Sequence, residues 1–270
     1  MSNAKNLLVS DLDGTLLDSK QQISAENLEA ISTFKENGGI FTIATGRMEK
    51  AAIPYIEQLG INIPVILYNG AIIYDPINKK RIVEKHLTSP GNVLRTINSL
   101  SKFDNVAVLI YQGDEVYTIK RNHIVEKYEE KEKVTCQLFS ERQLKNHIIK
   151  IMLIAEPEIL KKFETKVIEV EHSCELVYSE RNYLEILPIG ISKGAALKRL
   201  RFMIGIEKVN TICVGDNLND LPMLEIADKG FFVENSHKLL VKNHFFSCVH
   251  HNKHAIADII HNHILPVEKM

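Results

Sequence analysis

The sequence has no long apolar run, no paired cysteines and no excess of charge of either sign. Without a stretch of about 20 apolar residues, no membrane span is expected. Near the N-terminus Leu7-Leu8-Val9 is cut short by Asp11, so the hydrophobic region of a signal peptide is missing as well. Cys136, Cys174, Cys213 and Cys248 lie far apart and form no CxxC pair. That disfavours a disulfide framework or a zinc knuckle and fits reduced thiols in a cytoplasmic protein. The 33 basic and 34 acidic residues leave a formal charge of −1, so nothing in the balance draws in nucleic acid or an anionic membrane. Internal repeats and low-complexity tracts are also missing. What remains is an ordinary globular composition, 45% hydrophobic and 25% charged, in a 270-residue chain long enough for about two domains.

The most informative stretch is Leu7-Leu8-Val9-Ser10-Asp11-Leu12-Asp13-Gly14-Thr15. A short buried strand ends there in two carboxylates, a glycine and a hydroxyl. In open α/β sheets ligands gather outside the carboxyl ends of the strands, which is where Asp11 and Asp13 are expected. Two later apolar runs end the same way: Ile40–Ala44 in Thr45-Gly46-Arg47, and Pro64–Tyr68 in Asn69-Gly70. A helix with Ser24 as N-cap separates the first two strands, and one over Glu49–Leu59 the next two. This β-α-β-α-β alternation of continuous apolar strands predicts a doubly wound, mostly parallel sheet covered on both faces.

From about Ile82 the pattern changes. Helices near Pro90–Lys102, His123–Lys133 and Pro157–Val170 alternate with partly alternating strands. Val106–Tyr111 and Val116–Ile119 are joined by Gln112-Gly113-Asp114, a hairpin signal that implies antiparallel pairing. The expected organisation is a core formed by residues 1–82 and 189–270, interrupted by an α+β insertion over 83–188. After it, Ser192 reads as the N-cap of a helix that begins at Lys193. The strand Thr211–Val214 then ends in Gly215-Asp216-Asn217-Leu218-Asn219-Asp220.

These strand ends together supply the parts of a phosphate-transfer site. The Asp11, Asp13 and Asp216 carboxylates suit a hard divalent cation such as Mg2+, which bridges to substrate phosphate. Thr45 offers a hydroxyl to a phosphoryl oxygen, and Lys193 a point charge at a helix start. Carboxylates alone would repel a phosphate dianion, so both the metal and the lysine are physically required.

Asp11-Leu12-Asp13-Gly14-Thr15, Thr45-Gly46-Arg47, Ser192-Lys193-Gly194 and Gly215–Asp220 resemble, in order, the four motifs of the haloacid dehalogenase-like phosphohydrolases. Asn69-Gly70-Ala71 and the long insertion are similar to the Cof-type branch, which carries a C2-type cap. The resemblance implies that Asp11 attacks phosphorus to give an aspartyl-phosphate, and that Asp13 acts as general acid and then general base. It implies Mg2+ bound through Asp11, Asp13 and Asp216, with Asp220 orienting from behind, and phosphate contacts from Thr45, Gly46, Lys193 and Asn219. The implied substrates are small phosphate monoesters of the sugar phosphate, pyridoxal phosphate or flavin-pathway classes. The same motifs leave open a phosphomannomutase-like phosphomutase and a non-catalytic sensor of phosphorylated metabolites. The oligomeric state is not legible.

Several residues stay open between structural and functional roles. Leu16 stands where an EF-hand calcium loop requires glycine, which disfavours that reading of Asp11 and Asp13. Arg47 divides between a surface charge and a contact near phosphate, and Asn69 between a turn former and a site residue. His250 and His254 have a helical zinc spacing but no acidic or cysteine partner nearby in sequence, so a solvated polar face is expected. Tyr111, Tyr117, Arg121 and Arg181 are the cap's candidate specificity residues. The stretch Val233-Glu234-Asn235-Ser236 departs from the family's usual Met-Gly-Asn-Ala by placing Glu234 at the glycine, which implies altered geometry if that glycine needs positive φ.

Overall fold

The computed structural model describes residues 6–100, 105–140, 147–170, 173–206, 208–242 and 244–265. In chain order the first part runs β1 (Asn6–Ser10), α1 (Ala25–Glu36), β2 (Ile40–Ile43), α2 (Glu49–Gln58), β3 (Val65–Leu67), β4 (Ile72–Asp75) and β5 (Lys80–Glu84). The middle holds α3 (Pro90–Leu100), β6 (Ala107–Gln112), β7 (Glu115–Thr118), α4 (His123–Glu132), β8 (Cys136–Leu138), β9 (Ile148–Ile154), α5 (Pro157–Val170), β10 (Cys174–Glu180) and β11 (Tyr183–Pro188). The last part holds α6 (Lys193–Met203), β12 (Asn210–Gly215), α7 (Leu221–Glu225), β13 (Lys229–Val233), α8 (Lys238–Val241), β14 (Phe246–Cys248) and α9 (Ala255–Ile259). No described helix is long and apolar enough to cross a membrane.

Contacts divide the chain into two units. One comprises residues up to Gly46, Pro54–Ile82 and the chain from Ser192; the other comprises Arg47–Ile53 and Val83–Ile191. Arg47–Ile53, which the sequence pattern groups with the first strands, therefore packs with the middle of the chain.

In the first unit a five-stranded parallel sheet has the order β14-β13-β12-β1-β2. Leu7, Leu8 and Val9 of β1 are wholly buried, as a central strand covered on both faces requires. The chain leaves β1 toward β2 on one side and returns to β12 on the other, which makes the β1/β12 boundary a topological switch point. Ser24 and Ser192 cap α1 and α6 as expected, accepting hydrogen bonds from the Asn27 and Ala195 amides. The third strand departs from the expected parallel ladder. It meets the end of β2 only through a parallel bridge, Ala44–Ile66, and flanking hydrogen bonds such as Thr42 Oγ1 to the Pro64 carbonyl, and it pairs antiparallel with β4 in a separate β3-β4-β5 sheet.

The second unit is an α+β layer built on a six-stranded sheet of order β10-β11-β9-β6-β7-β8. Its pairings are antiparallel except β7 with β8, and β6–β7 is the expected hairpin. One sheet face is aliphatic and forms the core with α3 and α5 through Ile97, Leu160, Phe163 and Val167. Side chains on the opposite face alternate into polar groups. Lys150 Nζ pairs with Glu185 Oε2 at 2.8 Å, Tyr111 and Tyr128 share a hydroxyl contact of 2.5 Å, and Arg47 lies 3.6 Å from Glu132. All six are buried, so Arg47 is an internal cation rather than a surface charge. Among the expected specificity residues, Arg121 is tied to Glu129 and the Cys136 carbonyl, Tyr117 packs edge-on to Phe139, and Arg181 is exposed.

Candidate active site

Parallel register delivers the site. Ser10 is level with Ile43 on one side and Val214 on the other, so β1, β2 and β12 release their chains at one sheet edge. The last ladder bonds run from Asp11 N to Val214 O, from Ala44 N to Ser10 O and from Thr45 N to Ile66 O, at 2.9–3.0 Å. Asp11, Thr45 and Asp216 therefore leave the sheet together. Beyond Asp11 the chain makes one wide turn over Leu12–Leu16, in which Gly14 adopts φ +70°. A Cβ at Gly14 would lie 2.6 Å from Asp216 Oδ2, so only glycine lets this turn lie against the acidic loop.

The side chains converge on Lys193. It is the first residue of α6, fully buried, with Nζ 2.8 Å from Asp11 Oδ1 and 2.6 Å from Asp220 Oδ1. Burial opposes the Lys193 charge, but the two carboxylates outweigh it and hold its pKa above the ordinary value. Asp220 uses its other oxygen to accept the Asp216 and Asn217 amides at 2.9 and 3.0 Å, which knots the acidic loop. Both Asp220 oxygens are thus engaged within the protein, consistent with an orienting position behind Asp216.

Asp11, Asp216 and Asp220 each offer a carboxylate oxygen within 4.8 Å of the others, the only such group of metal-ligating side chains among the described residues. Burial and then Asp220 push the Asp11 carboxyl up to about 7, against the pull of Lys193. Asp216 is raised well above the usual carboxylate range, again by burial first and then by Asp220 and Asp11. One ammonium does not neutralise three clustered carboxylates, of which Asp11 and Asp220 are buried and Asp216 is half-buried, and the all-oxygen donor set fits a hard divalent cation.

The predicted phosphate contacts border the same loops. Thr45 is buried, and its carbonyl accepts the Asn69 amide at 3.0 Å. Gly46 lies against Asn69, since a Cβ there would meet Asn69 Nδ2 at 3.1 Å. Asn219 Nδ2 donates to Asn69 Oδ1 at 3.0 Å, while the buried Asn219 Oδ1 has no partner among the described residues. An orphaned buried acceptor is a position for a ligand or a water. Tyr68, Asn69 and Gly70 follow one another at φ +51°, +55° and +107°. A fully buried tyrosine in that region is strained, so this is not an ordinary Asn-Gly turn.

A protein-family model described as haloacid dehalogenase-like hydrolase matches residues 8–260. The chain belongs to this family. Among curated relatives, this hydrolase is 31% identical to phosphatase YwpJ of Bacillus subtilis, with 85% of this chain and 90% of that protein covered. It is 27% identical to the pyridoxal phosphate phosphatase YbhA of Escherichia coli, with 94% and 97% covered. Among solved structures, a haloacid dehalogenase-like hydrolase from Bacteroides thetaiotaomicron superposes with a TM-score of 0.82 at 25% identity, covering 95% of this chain and 98% of that one.

Two features of the hydrolase differ from what the sequence pattern suggests. Glu234 lies outside the positive-φ set and, exposed, faces Lys253 at 3.3 Å. The turn that usually carries glycine therefore accepts a side chain here without strain. His250 and His254 do not share a helix face: His254 is left-handed at the junction before α9, and its Nδ1 lies 3.4 Å from Glu26 Oε2. Sequence reasoning gave no role to His251, although its Nδ1 lies 2.7 Å from the Leu17 carbonyl at the end of the acidic turn.

Proposed function

We propose that this haloacid dehalogenase-like phosphatase hydrolyses small phosphate monoesters with Mg2+, through a phosphoryl group carried on Asp11. The observation that supports it most is Lys193, fully buried between Asp11 and Asp220 at the edge where Asp216 emerges. The Asp11 carboxylate and Asp13 backbone would hold the metal with Asp216, while Asp220 orients Lys193 and the acidic loop. When bound, the cation neutralises phosphoryl charge and offsets carboxylate repulsion.

Asp11 attacks phosphorus in line, forming the P–O bond to its carboxylate as the ester P–O bond breaks. Asp13 donates the proton to the leaving alkoxide and then takes one from the attacking water, which releases phosphate and regenerates Asp11. Thr45, the Gly46 backbone, Lys193 and Asn219 steady the transferring group, where positioning and charge supply most of the catalysis. The substrate classes considered are sugar phosphates, pyridoxal phosphate and flavin-pathway phosphates, and the inserted segment 83–188 is read as the C2-type cap that chooses among them.

Phosphate release from such a panel, in Mg2+ or EDTA, tests the reading with wild type and Asp11→Asn. Metal-dependent release by wild type that falls at least about 1,000-fold in the variant is expected. Activity that survives Asp11→Asn removes the nucleophile assignment. Binding of esters without release would instead indicate the sensor, and intramolecular transfer the mutase.

A further inference from the structure

The sheet cannot by itself hold Asp13 and Asp216 in register. The last ladder bond between β1 and β12 is Asp11 N to Val214 O, and both acidic loops continue past it. One direct contact between them, Thr15 Oγ1 to Asp216 Oδ1, spans 3.4 Å. A third segment also bridges them. The turn that follows β13, closed by Ser236 N to Val233 O at 2.9 Å, reaches both loops within three residues. Asn235 Nδ2 donates to the Gly14 carbonyl at 2.8 Å, and His237 N donates to the Asp216 carbonyl at 2.8 Å. Ser236 Oγ lies 3.4 Å from the Gly215 carbonyl.

The orientation of the Asn235 amide is fixed from behind. His251 N, which can only donate, meets Asn235 Oδ1 at 3.1 Å, and this turns Nδ2 toward Gly14. The His251 ring holds the other end of the acidic turn through Nδ1 and the Leu17 carbonyl. With a carbonyl as partner, Nδ1 must carry the proton. Asn27 adds a longer contact to the Leu16 carbonyl at 3.4 Å and is itself held by the Ala257 amide at 3.0 Å.

We propose that Asn235, oriented by His251, is a positioning residue that sets the Asp13–Gly14 turn against the Asp216 loop. It touches neither ester nor phosphate and acts through the backbone that carries Asp13. This inference rests on the phosphatase reading above. It also gives the family position next to Glu234 a physical task that the glycine-to-glutamate change leaves intact, because Glu234 points away to Lys253.

The test compares wild type, Asn235→Asp and Asn235→Ala in Mg2+ on the best ester of the panel. Asn235→Asp keeps the size and the acceptor for His251 N but sets a carboxylate oxygen against the Gly14 carbonyl. The expected result is a kcat lower by about 10- to 100-fold with KM within about 3-fold of wild type, the range for groups that orient metal-site residues. Melting temperatures establish that the variants are folded at the assay temperature, and Asn235→Ala, which adds no charge, reads the same quantity if Asn235→Asp is unfolded. His251→Gln, which retains a donor for Leu17, is expected to keep more kcat than His251→Ala. A folded Asn235 variant with kcat within about 2-fold of wild type, or one that raises KM alone, overturns the proposal. Failure of the phosphatase reading looks different: wild type itself releases no phosphate.

Discussion

Gly14 sits at φ +70° with Asp216 Oδ2 2.6 Å from where a Cβ would stand. Gly14→Ala therefore meets two penalties, a left-handed backbone worth about 1–3 kcal/mol and a clash with a carboxylate of the site. The expected outcome is a melting temperature lowered by several degrees together with a kcat reduced about 100-fold, since a displacement near 1 Å at a reacting group costs that much. Steady-state kinetics and thermal unfolding on the same preparation check both. At this scale the sequence identified the chemical groups, and their environment came from the fold. Lys193 could equally be a solvated lysine on a first turn until the structure buries it between two carboxylates.

Helix α6 begins at Lys193 and α7 follows directly on Asp220, and the two helices lie close together at Gly194. A Cβ there would lie 2.2 Å from the Pro222 carbonyl oxygen, a backbone atom with no freedom to swing aside. Gly194→Ala is expected to force the helices apart and destabilise the fold by about 1–3 kcal/mol, as overpacking does. Urea unfolding measures it, and an unchanged midpoint would show that the helices separate freely. Helix starts were legible at this scale because capping is local, as Ser24 and Ser192 demonstrate. The β4–β5 strands have a local signal, the turn-initiating Asp75-Pro76 between two β-branched runs, but only the fold decides that they join β3 in a separate sheet.

Across the whole molecule the buried thiols report how the chain is packed. Burial, aided by Glu129, pushes Cys136 up to about 12; burial and Asp258 do the same to Cys248; and burial raises Cys213 further. With pKa near 12, a thiol is only about 0.01% thiolate at pH 8. Iodoacetamide at pH 8 is expected to label the partly exposed Cys174 first and the other three only on unfolding, as mass spectrometry will show. The sign for stability follows from proton binding. Above about pH 9 the unfolded thiols lose protons that the folded ones keep, so stability falls as pH rises toward 12. A melting temperature that rises over that interval would contradict this packing.

The sequence determined what depends on neighbours along the chain. Apolar runs gave the parallel strands, capping serines gave the helix starts, and Gln112-Gly113-Asp114 gave the hairpin of the second unit. Three polar strand ends and one helix start, in order, identified the kind of site, because each motif is local and parallel strands must release their ends on the same side of the sheet. What the tertiary structure alone decided is which groups distant in sequence meet. The Asp11–Lys193–Asp220 cluster, the Asn69–Asn219 pair and the reach of Asn235 to Gly14 each join residues that no local pattern relates. Arg47 shows the same limit: its sequence places it two residues beyond Thr45, while packing places its guanidinium beside Glu132. Propensity and periodicity act over a few residues, whereas burial, charge pairing and close backbone approach exist only once the sheet has brought its strand ends together.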